Sequence, residues 1–139
     1  MQVLAVNQAY AGFSGGPFKE SDEKIELASR NPARVTADLT RSQLEEVPPL
    51  VVSKWQYLYK PMAYDGSKVA VLLMNHDKAS ADLSVSFADI PGLVCGAGQT
   101  CSVRDVWARK DLGQATATYT AKGVAAHDCA FLLICKEGC

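Results

Sequence analysis

Lys68-Val-Ala-Val-Leu-Leu-Met-Asn75 is apolar at successive positions, and in a strand that pattern puts oily side chains on both faces at once. Such a segment is stable only as a central strand with a layer packed on each side, so the rest of the chain has to supply neighbours and cover. Asp65-Gly66 just before it is a hairpin turn signal. Upstream of that turn, Trp55, Tyr57 and Tyr59 alternate with Gln56, Leu58 and Lys60 until Pro61 ends the run.

The same texture continues downstream. Leu83, Val85 and Phe87 alternate with Ser84 and Ser86, and Pro91-Gly92 closes that element. Cys101 to Trp107 reads as the next strand. Leu112 to Ala121 alternates small and threonine residues around Tyr119, with Gly123 as a break, and Ala126 to Cys135 is a long, mostly apolar closing strand. Short strands separated by turn chemistry, with no long helix, predict an all-β fold: an antiparallel β-sandwich of Greek-key type.

Residues 1–49 differ. They carry Gly15-Gly-Pro17, Asn31-Pro32 and Pro48-Pro49 and are expected to be a loop-rich, partly helical N-terminal segment, with the sandwich proper over 50–139. Ser21-Asp-Glu-Lys-Ile-Glu-Leu-Ala-Ser29 has the form of a short helix, with Ser21 as N-cap and Asp22 and Glu23 in the first turn. Asn31-Pro32 would stop it, and Arg41 to Glu46 would add another turn.

At 139 residues, 48% hydrophobic and 21% charged, the chain has the composition of one ordinary globular domain. A net charge of −1 advertises neither a nucleic-acid partner nor an anionic membrane surface. The longest apolar run, Val69 to Met74, is far short of the ~20 residues needed to span a bilayer. Met1-Gln-Val-Leu-Ala-Val-Asn-Gln8 lacks a charged leader and a sufficient apolar core, so it does not read as a signal peptide. It resembles a cut made inside a longer protein.

Of the five cysteines, Cys95 and Cys101 flank the flexible Gly-Ala-Gly-Gln-Thr and are the candidate disulfide. Cys129 and Cys135 share one face of the last strand but lie too far apart to bond each other. An odd count leaves at least one thiol unpaired, and Cys139 is expected to be a tail thiol. The spacing offers no zinc site, and no cofactor or metal is expected.

Sugar hydrolysis normally needs two carboxyl groups several ångströms apart. Asp65, Asp77, Asp82, Asp89, Asp105, Asp111 and Asp128 are the candidates, and no pair of them declares itself. Asp65 and Asp77 sit in turns, where the side chain bonds local amides; Asp105 is next to Arg104 and reads as a structural partner. His76 is expected in an exposed loop and His127 as a hydrogen-bonded residue entering the last strand, neither beside a nucleophile. Gly12-Phe-Ser-Gly-Gly16 lacks the lysine and the strand-to-helix setting of a phosphate loop. The row Trp55, Tyr57, Tyr59 is the candidate sugar-binding face, since aromatic platforms stack on sugars. The competing reading, that it fills the core or a domain seam, is favoured.

Taken together, several segments resemble the C-terminal part of family 27 glycoside hydrolases, the α-galactosidase or melibiase family, of plant and algal type. Val3-Leu-Ala-Val-Asn-Gln8 is similar to the segment that follows the last barrel strand. Gln56-Tyr-Leu-Tyr-Lys-Pro-Met62 is similar to V-W-x-x-P-L, and Val69-Ala-Val-Leu-Leu-Met-Asn75 to A-V-x-L-x-N. Ser102-Val-Arg-Asp-Val-Trp107 is similar to V-R-D-L-W, with Leu112-Gly113 following. His127 and the apolar run after it are similar to the closing strand. One departure is Leu58 where the family usually places its Trp, with Trp55 three residues earlier.

The resemblance implies a sandwich packed beside a (β/α)8 barrel, with Arg104, Asp105, Trp107 and His127 in structural roles. The family's two catalytic aspartates lie on barrel strands ahead of the Asn-Gln segment. A barrel takes ~250 residues, so no catalytic residue maps onto this sequence. The expected function is therefore that of an accessory, non-catalytic domain whose partner is the barrel of the parent enzyme. Members of the family are commonly secreted, vacuolar or lysosomal. Two other readings remain open: a module binding galactose-containing saccharides through Trp55, Tyr57 and Tyr59, and a homodimer linked through Cys139.

Overall fold

The computed structural model describes residues 16–27, 50–96 and 98–139. The expectations for residues 1–8, 12–15 and 41–46 lie outside them. The described residues form β1 (Lys19–Glu20), β2 (Lys24–Leu27), β3 (Leu50–Ser53), β4 (Trp55–Pro61), β5 (Lys68–Asn75), β6 (Ala81–Ser86), β7 (Thr100–Asp105), β8 (Lys110–Thr116), β9 (Thr118–Val124) and β10 (Cys129–Cys135). A single 3-10 turn covers Phe87–Asp89. Six strands make one sheet in the order β1-β4-β5-β10-β7-β8, and β2-β3 and β6-β9 make two-stranded sheets. Every pairing is antiparallel.

The doubly apolar segment is the centre of the large sheet. β5 pairs with β4 from Trp55↔Asn75 to Pro61↔Val69 and with β10 from Cys129↔Met74 to Cys135↔Lys68. Val69, Val71 and Leu73 point into the main core, with Tyr57, Val103, Leu132 and Ile134 beside them. Leu83 and Val85 of β6, Ala121 and Val124 of β9, and Phe87, Ile90 and Leu93 complete that core from the other layer. The alternate residues of the large sheet face the opposite way. There Ala70, Val106, Phe131, Leu133 and Cys135 form a second buried cluster, with Met62, Leu72 and Cys139 packed against it. This is the all-β sandwich that the strand periodicity predicts.

Four local expectations are corrected. Lys24–Leu27 is a strand, not a helix, because it finds a partner: Lys24↔Ser53 through Leu27↔Leu50. Pairing across sequence outweighs the weak local preference of a short acidic-start segment. Ser21 accordingly caps no helix; its hydroxyl donates to Glu23 O and accepts from Trp55 N–H. Leu112 to Ala121 is two strands, because Ala117 takes a left-handed φ of 64° and turns the chain from the large sheet into the small one. The strand expected over Cys101 to Trp107 ends at Asp105. Finally, Cys139 is not a free tail thiol: it bonds Cys135, with Cα atoms 5.7 Å apart.

The other disulfide joins Cys95 to Cys101, with Cα atoms 5.8 Å apart. Both bridges close short loops, and restricting the unfolded chain this way is worth about 2 kcal/mol each. Cys129 is the free cysteine.

Asn75 locks the two layers together at the end of β5. It is 2% exposed, and its Nδ2 lies within hydrogen-bond range of Ala79 O, Val124 O and Ala125 O at 2.9, 3.0 and 3.2 Å. Its Oδ1 accepts from Asp77 N–H at 3.0 Å. One buried amide thus ties the loop after β5 to the end of β9, and a buried amide left without those partners would be costly.

Candidate functional site

The β7–β8 corner gathers the Ser102-Val-Arg-Asp-Val-Trp107 segment into a rigid turn. Arg104 Nη1 donates to Asp111 Oδ1 at 2.7 Å and Nη2 to Arg109 O at 3.0 Å. Asp105 Oδ1 accepts from Ala108 N–H at 2.9 Å, and Val106 N–H donates to Phe131 O at 3.0 Å. Arg104 therefore pairs with Asp111, and Asp105 caps the turn. The net effect is to stand Trp107 at the edge of the second cluster, edge-on to Phe131 with centroids 5.5 Å apart and planes at 89°. Trp107 remains 61% exposed.

That exposed indole borders the outer face of the large sheet, where Met62, Leu72 and Met74 are half-buried. The inner face of the sheet packs against β6 and β9. On the outer face Ala70, Phe131, Leu133 and Cys135 are buried, while Met62, Leu72 and Met74 stay half-buried beside the exposed indole.

The carboxylates are committed to holding turns. Asp65 accepts from Ser67 N–H, Asp77 from Lys78 N–H, Asp82 from Gly123 N–H and Asp128 from Cys129 N–H. Asp89 pairs with Lys19 and Asp111 with Arg104. Hydrogen bonds hold the carboxyls of Asp65 and Asp77 below the usual carboxylate range; for Asp65 the Ser67 side chain is the largest cause, for Asp77 the Lys78 amide. A general acid in sugar hydrolysis needs the opposite shift. Among the described residues, no group of three or more His, Cys, Asp or Glu side chains is placed to hold a metal.

Two histidine expectations are corrected. His76 is half-buried rather than exposed, and its Nε2 lies 3.1 Å from Gln56 Oε1. Burial, and then the neighbouring charge of His127, push its pKa down. His127 is exposed and sits in the turn ahead of β10 with φ 59°; its backbone, not a hydrogen-bonded ring, serves the fold. The free thiol of Cys129 is half-buried, and burial, reinforced by Asp128, raises its pKa. That works against nucleophilic use.

The aromatic row is brought together, but inward. Tyr57 is 2% exposed, Trp55 stacks on it with centroids 4.5 Å apart, and Phe18 covers Tyr59 edge-on at 5.7 Å. Trp55 and Tyr59 both pack against the main core, and burial pushes the Tyr57 phenol up to about 12. The row is the flank of the core, with Tyr57 inside it and Trp55 and Tyr59 half-buried at its edge. Asn75 was the residue whose importance sequence reasoning passed over; an Asn ending a buried apolar run was the available signal.

A family model described as the alpha galactosidase C-terminal beta sandwich domain matches residues 52–134. The chain belongs to that family. The match begins in β3 and ends one residue before the end of β10, so it takes in the central sheet except β1 and Cys135. Among solved structures, the α-galactosidase I of Mortierella vinacea is 23% identical with a TM-score of 0.50, over 58% of this chain and 20% of that one. A GH27 β-L-arabinopyranosidase from Geobacillus stearothermophilus is 18% identical with a TM-score of 0.50, over 59% of this chain and 17% of that one. These likenesses establish the C-terminal sandwich fold, and the matched region spans a fifth or less of either enzyme. No curated protein matches the chain significantly.

Proposed function

We propose that this chain serves as the accessory C-terminal domain of an α-galactosidase-like glycoside hydrolase, packing beside the catalytic barrel and contributing no catalytic group. The observation that carries this reading is the half-buried apolar strip of Met62, Leu72 and Met74 on the outer face of the large sheet, bordered by the exposed Trp107 indole. A second layer on the outer face would bury Leu72, Met62 and the Trp107 indole, worth about 25 cal/mol per Å² of apolar surface removed from water. The commitment of the aspartates to turns and ion pairs supports the non-catalytic half of the reading.

The physical role is to brace. A stiff sandwich, tied by two disulfides and the Asn75 clamp, presents the Trp107 corner without ordering cost at docking. Trp is also favoured at such seams because a large ring buries much area with few rotatable bonds.

The test is a chimera in which this chain replaces the sandwich of a family 27 enzyme. The chimera is expected to be soluble and to hydrolyse an aryl α-galactoside, and Leu72→Glu in it to lower activity or thermal midpoint sharply. The same substitution should lower the midpoint of the isolated chain by less, since Leu72 there is only half-buried against the second cluster. Equal effects of Leu72→Glu in both settings would refute docking on this face.

A further inference from the structure

The turn joining β4 to β5 presents an aromatic ring that the core does not use. Tyr64 is 102% exposed, yet the turn beneath it is clamped throughout. Met62 N–H donates to Lys68 O at 2.9 Å, Gly66 N–H to Ala63 O at 3.2 Å, Val94 N–H to Gly66 O at 3.0 Å and Lys136 N–H to Ser67 O at 2.8 Å. Asp65 closes the tip by accepting from Ser67 N–H at 3.0 Å. Gly66 has φ 75°, and a Cβ there would meet Gly92 O at 2.0 Å, so the turn is pressed directly on the next loop. The base of the ring is fixed while its faces stand in water.

The turn is a crest between hollows of opposite character. On one side Pro61, Val69, Pro91 and the two glycines line a cleft of about 260 Å³ that includes Tyr64 itself. On the other, Asp65, Ser67, Lys68, Lys136 and Glu137 line a hollow of about 340 Å³. Lone exposed aromatics are ordinary on protein surfaces. What distinguishes Tyr64 is a preorganised mount, an apolar cleft under one side and a polar hollow next door.

The chemistry of the two hollows narrows the occupant. The polar side carries two carboxylates, Asp65 and Glu137, against two ammonium groups, Lys68 and Lys136, so it favours a neutral polar ligand over an anion or a cation. Asp65 stays ionised at neutral pH, since hydrogen bonds from the Ser67 side chain and amide hold its carboxyl low, and it accepts from hydroxyl groups. The apolar side favours a flat patch of C–H bonds. The cleft also falls below the about 300–1,000 Å³ of pockets that enclose drug-sized ligands. A small, neutral ring with one C–H face and a rim of hydroxyls meets all these demands.

We propose that the Tyr64 turn is a binding site for a single neutral pyranose, whose apolar face stacks on the Tyr64 ring beside the Pro61–Pro91 cleft while its hydroxyls reach the Asp65 and Lys136 side. The site is separate from the Trp55–Tyr59 row, which is spent on the core. It requires no barrel, so it stands or falls independently of the accessory-domain reading. A ligand this small on an open surface binds weakly, with a dissociation constant on the order of 1–10 mM.

Proton–nitrogen correlation NMR of the full chain, titrated with galactose and with melibiose, tests the site. Saturable shifts confined to 61–68, 91–94 and 136–138 are expected. Tyr64→Ala should weaken binding by about tenfold or more and Tyr64→Phe by about threefold or less, because stacking needs the ring and not the hydroxyl. Since Tyr64 touches no core residue, both variants should otherwise reproduce the parent spectrum. Absence of saturable shifts, shifts centred on Trp55 and Tyr59, or equal binding by Tyr64→Ala would each overturn the proposal.

Discussion

Trp107 meets Phe131 edge-on, centroids 5.5 Å apart and planes at 89°, although Phe131 is 7% exposed and Trp107 61%. One ring is built into the fold and the other stands largely in solvent. Truncating them should therefore have unlike consequences. Phe131→Ala is expected to cost the isolated domain about 3–5 kcal/mol, and Trp107→Ala only about 1 kcal/mol, the worth of the aromatic pair. Urea denaturation monitored by circular dichroism reads both, and equal losses would mean that Trp107 is a core residue.

Asn75 should behave as a buried clamp. Asn75→Ala leaves Val124 O and Ala125 O short of a donor and is expected to cost at least about 2 kcal/mol. Hydrogen exchange should speed up first at 76–80 and 124–128, the two segments it ties together. A loss spread evenly over the sheet would contradict this assignment.

The two disulfides close separate short loops on opposite faces of the large sheet, Cys101 in the main core and Cys135 in the second cluster. Replacing Cys95 and Cys101 by Ala, or Cys135 and Cys139 by Ala, should each lower stability by about 2 kcal/mol; because Cys135 pairs with Ser102 beside Cys101, replacing all four should depart from the simple sum. Because Cys139 is satisfied within the chain, non-reducing gels should show no dimer linked through it. Cys129 should react slowly with alkylating reagents below pH 8.5, as its thiol is shifted upward by burial and by Asp128.

His76 makes stability fall on the acid side. Its folded pKa lies below the ordinary 6.5, chiefly through burial and then through His127, so the unfolded chain takes up the proton first as pH drops. Stability is then complete above about pH 6.5 and declines as pH falls toward the folded value. His76→Gln should flatten the dependence between about pH 6.5 and 5, above the range where ordinary carboxylates titrate. Unaltered slope in thermal midpoints across that window would count against the assignment.

How much of this could be read from residues alone depended on where the deciding contact lay. The strand periods of 55–61, 68–75 and 83–87 are local and predicted β4, β5 and most of β6, which runs from Ala81 to Ser86. The Cys95–Cys101 pair and the turns at Asp65 and Asp77 were legible for the same reason. β2 was not, because Lys24–Leu27 becomes a strand only through its partner Leu50–Ser53. Nor was the break at Ala117, where a left-handed φ is imposed by moving between sheets rather than by an alanine's own preference. Cys139 looked like a tail thiol because its bond to Cys135 needs the chain to turn back just past β10. For the site, the aromatic row was visible and residue type already favoured the core reading: alternation says that Trp55, Tyr57 and Tyr59 share a face, and packing puts Tyr57 in the core with Trp55 and Tyr59 at its edge.

The central claim, a bracing domain that carries no catalytic group, is met most directly by assaying the purified chain with an aryl α-galactoside. The account predicts release of the aryl alcohol at the rate of the buffer blank, whatever the protein concentration. A rate that rises in proportion to protein concentration and is saturable in substrate would contradict it.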